Sequence, residues 1–246
     1  GHEDDRGVVL VTEQTIASIA SLVGKGGKEG IPEHKFRTEN LCQFVTMAKE
    51  SFFPAGSIDK CVDDKADFAD DSPLVLAVDT SHDRSMSYLA VAGYSTDKQP
   101  LVVVIAQRAG TEWVAKTLAN DLEFEHEPGV IIQGRGAPAS SLIEYIEDEG
   151  VEVRRCEGTN MTNACSQLYD RVVNGTVRFN DQPALLTAME EVVIKNLGET
   201  FVWNRAKSPV DVAPLCAATY ALWGLEMLHK QEVRTTAYGD EYQKWW

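Results

Sequence analysis

Two aspartates stand where apolar runs of the chain meet polar residues, and these positions suit metal-assisted chemistry. Asp79 is near the end of the apolar run LVLAVDT at residues 74–80, and Asp211 lies in SPVD, just before a long apolar segment. Carboxylates that converge from different elements bind hard divalent cations, which activate water and stabilise the leaving oxygen in phosphodiester cleavage. The two acids therefore predict a metal-dependent hydrolytic site, provided that the fold brings them together.

Each acid also has an explanation that needs no chemistry. Aspartates are common in turns at strand ends, and Asp79 fits that description as well as it fits a metal ligand. Ser208 as N-cap, followed by Pro209 and an acid, makes a good helix start, so capping alone would explain Asp211. Asp83, in DTSHDRS, is interpreted first as a turn residue and second as an additional metal ligand. From these residues alone, both kinds of role stay open.

The order of the predicted elements indicates the fold that would position these acids. Strands at 74–80, 86–95 and 100–108, joined by short polar turns, predict an antiparallel meander. Helices and strands then alternate before a last, largely apolar helix, and this order predicts an α/β, RNase H-like mixed central sheet with flanking helices. The later elements are helix 111–125, strand 129–133, helix 140–150, strand 151–155, helix 161–175, strand 176–179, helix 182–193, strand 200–204 and helix 208–230.

The chain divides into three predicted parts. Residues 1–72 are predicted as an N-terminal linker or inter-domain segment with a helix at 37–50, residues 73–230 as the RNase H-like domain, and residues 231–246 as a polar tail. The glycine-rich stretch GKGGKEG at 24–30 does not match the phosphate-loop pattern G-x-x-x-x-G-K-[ST], so ATP hydrolysis is not expected. No apolar run approaches the roughly 18 residues that a membrane span needs, so no membrane association is expected.

Charge and cysteine content narrow the classes of function. The net charge of −15 argues against a general nucleic-acid binder, because phosphate binding usually comes with a basic surface. That argument is weakened because bound cations neutralise acidic ligands locally, and because much of the acid lies at 63–71, outside the predicted domain. The five cysteines are odd in number and contain no CxxC pair, which disfavours a disulfide framework and a zinc ribbon and favours reduced thiols.

Four blocks of sequence are more specific than the order of elements. Together they resemble the nuclease domain of phage terminase large subunits of the actinobacteriophage type, over roughly residues 38–228. The most specific block carries the pattern W-x-R-x-x-S-x-V-D followed by an apolar, alanine-rich helix. The four blocks are AVDTSHDRSMSYLAVAG, VIIQGRGAPASSL, NACSQLYDRVVNGTVRFNDQPALLTAM and LGETFVWNRAKSPVDVAPLCAATYALWG.

The resemblance implies a metal-dependent endonuclease that cuts double-stranded DNA concatemers during genome packaging with two Mg²⁺ or Mn²⁺ ions. The first aspartate of the family matches Asp79 and its late aspartate matches Asp211, whereas the acid expected at the end of the strand VIIQ is Gln133 here. The neutral carbonyl of glutamine is a weaker ligand for a hard divalent ion than a carboxylate. Gln133 is therefore expected to weaken the metal site, and Asp83 is the candidate replacement for the missing acid.

Binding partners follow from the same resemblance. Arg135, Arg205 and Lys207 flank the acids and are candidates to hold the DNA backbone, although each is also explained as a surface charge. Contacts to the backbone alone would make cutting largely independent of sequence. The resemblance further implies an ATPase domain upstream in the full-length protein, a portal and a small terminase subunit as partners, and the cytoplasm of the phage-infected bacterial host as the location.

Three other functions remain to be weighed against DNA cutting by a terminase. One is a degenerate RNase H-like domain that binds DNA or the portal but has lost cutting through Gln133. Another is a different RNase H-like nuclease, such as a resolvase, which would prefer branched DNA. A third, an actin-like or sugar-kinase-like ATPase, is disfavoured because no second phosphate loop is recognisable. Replacing Gln133 by aspartate separates a disabled site from an active one.

Overall fold

Six strands form a mixed sheet at the centre of the fold. The structure of the protein, a computed structural model, describes residues 51–120 and 129–238, with side chains as far as residue 229. The strands β1 to β6 are Val75–Thr80, Met86–Tyr94, Pro100–Ala109, Val130–Gln133, Val153–Cys156 and Arg178–Phe179. Across the sheet they lie in the order β5-β4-β1-β2-β3-β6.

The pairing of the strands confirms the predicted meander and mixed sheet. β1 pairs antiparallel with β2, and β2 pairs antiparallel with β3. β4 then runs parallel to β1 and β5 parallel to β4, while β6 joins the far edge parallel to β3. Because β1, β4 and β5 are parallel, their carboxyl ends meet at one edge of the sheet, where Asp79 and Gln133 lie.

Helices cover both faces of the sheet. The helices α1 to α5 are Val114–Asn120, Ile143–Asp148, Thr159–Asn174, Pro183–Glu191 and Ala213–Tyr238, and a 3-10 turn at Pro138–Leu142 precedes α2. The side chains of β1 alternate between two cores: Val75 and Ala77 face α3, α4 and α5, whereas Leu76 and Val78 face α1 and α2. None of the helices described is long and apolar enough to cross a membrane.

α5 packs on the sheet at unusually short range. A Cβ added to Gly224 would lie 2.6 Å from Val75 Cγ1 and 3.0 Å from Ile131 Cγ1, so only glycine allows this approach. Cys216 and Tyr220, in the first turns of α5, pack in the core on the face of the sheet that carries Asp79. α5 is therefore the element that covers the candidate site.

The segment before β1 belongs to the same compact unit as the sheet. Phe53 and Cys61 are buried in the core shared with α5, and Val62 and Phe68 form isolated bridges with residues of the sheet region. The compact unit that contains the sheet begins at Ser51, and hydrophobic residues within the acidic segment pack against its core. The domain boundary between residues 72 and 73 stays a prediction. The predictions for 1–50, including the helix at 37–50, and for 239–246 lie outside the described residues.

Two elements differ from the sequence predictions. The last helix begins at Ala213 rather than at residue 208, because the Ser208 hydroxyl is engaged elsewhere: it donates to Asn204 O and accepts from the Val193 N–H. The strand predicted at 200–204 is β8, Thr200–Trp203, and it pairs with β7, Ile194–Leu197, which the sequence analysis did not predict. The predicted helix 111–125 appears as α1, and residues 121–128 lie outside the described part of the chain.

Candidate functional site

Asp79 is fully buried at the end of β1. In the antiparallel register it lies directly opposite Tyr88 on β2, so the two side chains share the face covered by α5. On the other side of β1, Ala77 pairs with Ile131, which places Gln133 beside Asp79 two residues further along each strand. Three adjacent strands therefore direct Gln133, Asp79 and Tyr88 to the same edge and face of the sheet.

An arginine makes an ion pair with Asp79. Arg205 Nε lies 3.1 Å and Nη2 2.9 Å from Asp79 Oδ2, and the Arg205 side chain is only 13% exposed. Burial raises the pKa of Asp79, and the guanidinium opposes that effect. Burial alone would lower the pKa of Arg205, but the Asp79 carboxylate raises it well above its usual value. Because arginine stays protonated in proteins and both N–H groups reach one oxygen, the pair is ionic at neutral pH.

The second carboxylate oxygen of Asp79 has no hydrogen-bond partner in the part of the chain that the structure describes. Oδ1 is buried and, within the described residues, nothing donates to it with normal geometry. The Thr80 N–H and the Cys216 thiol lie close enough to lower the pKa of Asp79, but a thiol is a weak donor. Buried polar atoms are rarely left without partners, so Oδ1 is a natural position for a ligand.

Gln133 is held by hydrogen bonds at both ends of its amide. Tyr220 OH donates to Gln133 Oε1 at 2.8 Å, and Gln133 Nε2 donates to the backbone carbonyl of Arg135 at 2.9 Å. Arg205 Nη2 lies 3.5 Å from the Tyr220 hydroxyl, which continues the network to Asp79. Burial raises the pKa of Tyr220 well above its usual value, so the hydroxyl keeps its proton and remains a donor to Gln133.

Asp211 joins the same end of the sheet from the segment before α5. Its Oδ1 accepts from the Ala213 N–H at 3.0 Å, which caps the first turn of the helix. Its carboxylate also lies near the Tyr88 hydroxyl: burial, followed by hydrogen bonding to Asp211 and by the Asp211 charge, raises the pKa of Tyr88. Since Tyr88 lies opposite Asp79, the structure brings Asp79, Gln133 and Asp211 to one region. The capping role and the proximity to Asp79 coexist.

The side chains of Asp83 and of two of the three basic residues predicted to contact DNA lie at the surface and outside the hydrogen-bond network around Asp79. Asp83 is exposed in the β1–β2 turn, where the hydroxyl and N–H of Ser85 and the hydroxyl of Ser81 lower its pKa to about 2. Arg135 and Lys207 are exposed, but Arg205 points inward to Asp79 instead of outward to solvent. The turn explains Asp83 without a ligand, and the proposed contacts of the three basic residues with DNA stay predictions.

Three residues of this region were missed by the sequence analysis. Tyr88, Cys216 and Tyr220 all lie in apolar stretches, where they look like ordinary core residues. Tyr88 could have been found from the hairpin, because an antiparallel turn centred near residue 83 places it opposite Asp79. A tyrosine within the apolar run of α5 also signals a buried hydroxyl that needs a polar partner.

Two carboxylates at this end of the sheet could serve as oxygen ligands. Among the described residues nothing donates to Asp79 Oδ1 with normal geometry, and Asp211 is exposed; Mg²⁺ in proteins is held by one or two carboxylates with water completing its shell. Gln133 Oε1 is already occupied by Tyr220. Within residues 51–120 and 129–229, no cluster of three or more His, Cys, Asp or Glu side chains is arranged to hold a metal. The two-ion arrangement implied by the resemblance stays a prediction.

Known structures share this fold. The chain matches the HK97 bacteriophage large terminase with a TM-score of 0.56 and 14% identity, over 87% of this chain and 50% of that one. It matches the large terminase nuclease of thermophilic phage G20c, a structure with bound magnesium, with a TM-score of 0.50 and 12% identity, over 72% and 97% of the two chains. No family model and no curated protein matches the sequence.

These likenesses define the class of fold. The chain has the RNase H-like fold of phage large terminase nuclease domains, as the sequence predicts. It spans about half the length of the HK97 large terminase. Because the identities are 14% and 12%, the likeness shows the fold alone, and the chemistry depends on the residues of the site.

Proposed function

We propose that this chain is the nuclease region of a phage DNA-packaging terminase large subunit and hydrolyses double-stranded DNA with a divalent metal ion. The observation that carries the proposal is the buried Asp79 carboxylate, whose Oδ1 lacks a partner among the described residues. Asp211 reaches the same end of the sheet through Tyr88. The likeness in fold to a terminase nuclease with bound magnesium supports the choice of metal class.

The residues of the site would have distinct roles. Asp79, through Oδ1, and Asp211 would hold Mg²⁺ or Mn²⁺, which supplies an activated water and stabilises charge on the phosphate when it is bound. Tyr88, whose hydroxyl lies near Asp211, would orient that carboxylate. Arg205 neutralises the other oxygen of Asp79, and Tyr220 fixes the Gln133 amide. α5 covers one face of the sheet at this position and excludes water from it.

DNA would approach the exposed edge of the site. Arg135, in the turn after β4, and Lys207, in the segment before α5, are both exposed and lie in segments that contribute Gln133 and Arg205. They are proposed to contact phosphates, which gives largely sequence-independent cutting. The proposal extends to the terminase setting: an upstream ATPase domain, a portal and a small subunit as partners, in the cytoplasm of the infected bacterial host.

Plasmid cleavage by the purified chain tests the proposal. Supercoiled plasmid is incubated with the chain and Mg²⁺, Mn²⁺ or chelator, and nicked and linear products are resolved on a gel. Products with either metal and none with chelator are expected. A folded chain that leaves the plasmid supercoiled with both metals contradicts the proposal. A preference for branched over linear DNA would instead indicate a resolvase-like nuclease.

A second candidate function is a degenerate domain that binds DNA or the portal without cutting. Two observations favour it: both polar atoms of Gln133 are engaged, and Arg205 occupies Asp79 Oδ2. Replacing Gln133 by aspartate restores the acid that the resemblance implies. Cutting that appears only in Gln133→Asp supports the degenerate domain, whereas cutting by the unaltered chain rejects it. Gln133→Glu is the matched control, because its longer side chain carries the same charge.

A further inference from the structure

The segment that carries Arg205 is fixed at both ends. On its N-terminal side, Trp203 Nε1 donates to Thr219 Oγ1 of α5 at 2.9 Å. On its C-terminal side, the Ser208 N–H and hydroxyl both donate to Asn204 O, at 3.0 and 2.8 Å. Arg205 is thus presented to Asp79 by a short, internally bonded segment, and not by a long surface side chain that happens to reach the acid.

The Arg205 guanidinium already supplies positive charge where a metal would supply it. Among the described residues, the Arg205 guanidinium donates to Asp79 and to the Tyr220 hydroxyl, so Asp79 is its anionic partner. The carboxylate is fully buried and the arginine side chain is 13% exposed, so water screens the pair weakly. A divalent ion at Asp79 would lie next to this fixed positive charge, and the two cations would repel each other.

We propose that Arg205 is the resident cation of this site and competes with a divalent metal ion for the Asp79 carboxylate. The inference rests on the metal use proposed above and adds that Arg205 limits the affinity of the site for the metal ion. Arg205 donates to Asp79 Oδ2, so a metal ion has two ways to bind. It binds to Oδ1 and is repelled by the guanidinium, or it displaces the guanidinium from the carboxylate. Metal binding is therefore weaker than the buried carboxylate alone would give.

Mn²⁺ binding to charge-altered variants tests the competition without measuring cutting. Titration calorimetry is performed on the unaltered chain, Arg205→Gln and Arg205→Lys, and the signal from this site is the part lost in Asp79→Asn. Arg205→Gln removes the charge but keeps an amide donor. Arg155→Gln is the matched control, because Arg155 pairs with Glu147 on the surface with about half of its side chain exposed.

Competition predicts at least roughly tenfold tighter Mn²⁺ binding by Arg205→Gln than by the unaltered chain, and no change in Arg155→Gln. The Mn²⁺ affinity of Arg205→Lys should be intermediate, because lysine keeps the positive charge but loses the pair of N–H groups that donate to Asp79 Oδ2. Equal or weaker binding by Arg205→Gln overturns the inference, and so does the absence of Mn²⁺ binding in both proteins at millimolar metal. If Arg205→Gln does not fold with or without Mn²⁺, Arg205→Lys decides: affinity no higher than that of the unaltered chain overturns the inference.

The outcome is separable from that of the proposed function. Tighter Mn²⁺ binding by Arg205→Gln with no DNA cutting by either protein would support the competition and reject the nuclease. Cutting by the unaltered chain together with unchanged Mn²⁺ affinity in Arg205→Gln would support the nuclease and reject the competition. Either proposal can therefore be rejected while the other is supported.

Discussion

Removing Arg205 should destabilise the fold by an amount that depends on pH. In Arg205→Met, with chelator present, the fully buried Asp79 carboxylate loses its counter-charge. A buried carboxylate in that situation takes up a proton instead of remaining charged. Relative to an unfolded carboxyl with a pKa of about 3.9, protonation at pH 7 costs about 4 kcal/mol, from about 1.4 kcal/mol for each of about 3 pH units. That figure agrees with the roughly 3–5 kcal/mol lost when a buried ion pair is broken.

The sign of the pH dependence follows from where the proton is bound. Folded Arg205→Met holds a proton on Asp79 that the unfolded chain has lost, so its free energy of unfolding falls as pH rises. The loss relative to the unaltered chain should therefore shrink by about 3 kcal/mol between pH 7 and pH 5. Burial, which already raises the pKa of Asp79, acts in the same direction.

Urea unfolding at pH 5, 6 and 7 measures this effect. The unaltered chain, Arg205→Met and the double variant Asp79→Asn/Arg205→Met are compared, and the double variant should lose the extra pH dependence because it has no carboxyl at that position. A loss in Arg205→Met that is the same at all three pH values refutes the reasoning. A loss below about 1 kcal/mol at pH 7 refutes it as well, because the pair would then behave as a surface salt bridge.

Substitutions at three further positions test the packing and bonding around the site by urea unfolding and plasmid cleavage. Tyr220→Phe should lower stability by about 1–3 kcal/mol, since Gln133 Oε1 is left buried without its donor; no loss would mean that another donor replaces it. Gly224→Ala should cost about 1–3 kcal/mol by pushing α5 off β1 and β4, and a neutral result would contradict the close packing. Asp211→Asn should keep the cap on Ala213 but lose cutting, whereas Asp211→Ala should also lose about 1 kcal/mol; full cutting by Asp211→Asn would remove the acid from the mechanism.

The central sheet could be predicted because each strand carries its signal locally. The apolar run before Asp79 and the two runs after it are joined by short turns, so they have few alternatives to a meander. The sequence does not predict β7 because only one of its four residues, Ile194, is partly buried, whereas Lys195, Asn196 and Leu197 are exposed. Strand propensity without a buried face leaves little pattern to detect.

The positions of the two acids in the fold were predictable, but their partners were not. Asp79 lies at the end of a strand and Asp211 at the start of a helix, as the sequence indicates, and their roles as metal ligands stay predictions. The inward orientation of Arg205 depends on the β7–β8 hairpin and on Ser208 bonding to Asn204, which are tertiary features. A sequence pattern does not tell whether an arginine next to an acid faces DNA or the acid itself.

The most direct test of the nuclease site compares plasmid cleavage by Asp79→Asn and Asp97→Asn with that by the unaltered chain in Mn²⁺. Both variants change one aspartate to asparagine, but Asp97 is an exposed residue of the β2–β3 turn. Circular dichroism confirms that each variant is folded at the assay temperature. The account predicts that cutting disappears in Asp79→Asn and persists in Asp97→Asn. Cutting by folded Asp79→Asn at the rate of the unaltered chain would contradict the central claim that Asp79 anchors a metal-dependent nuclease site.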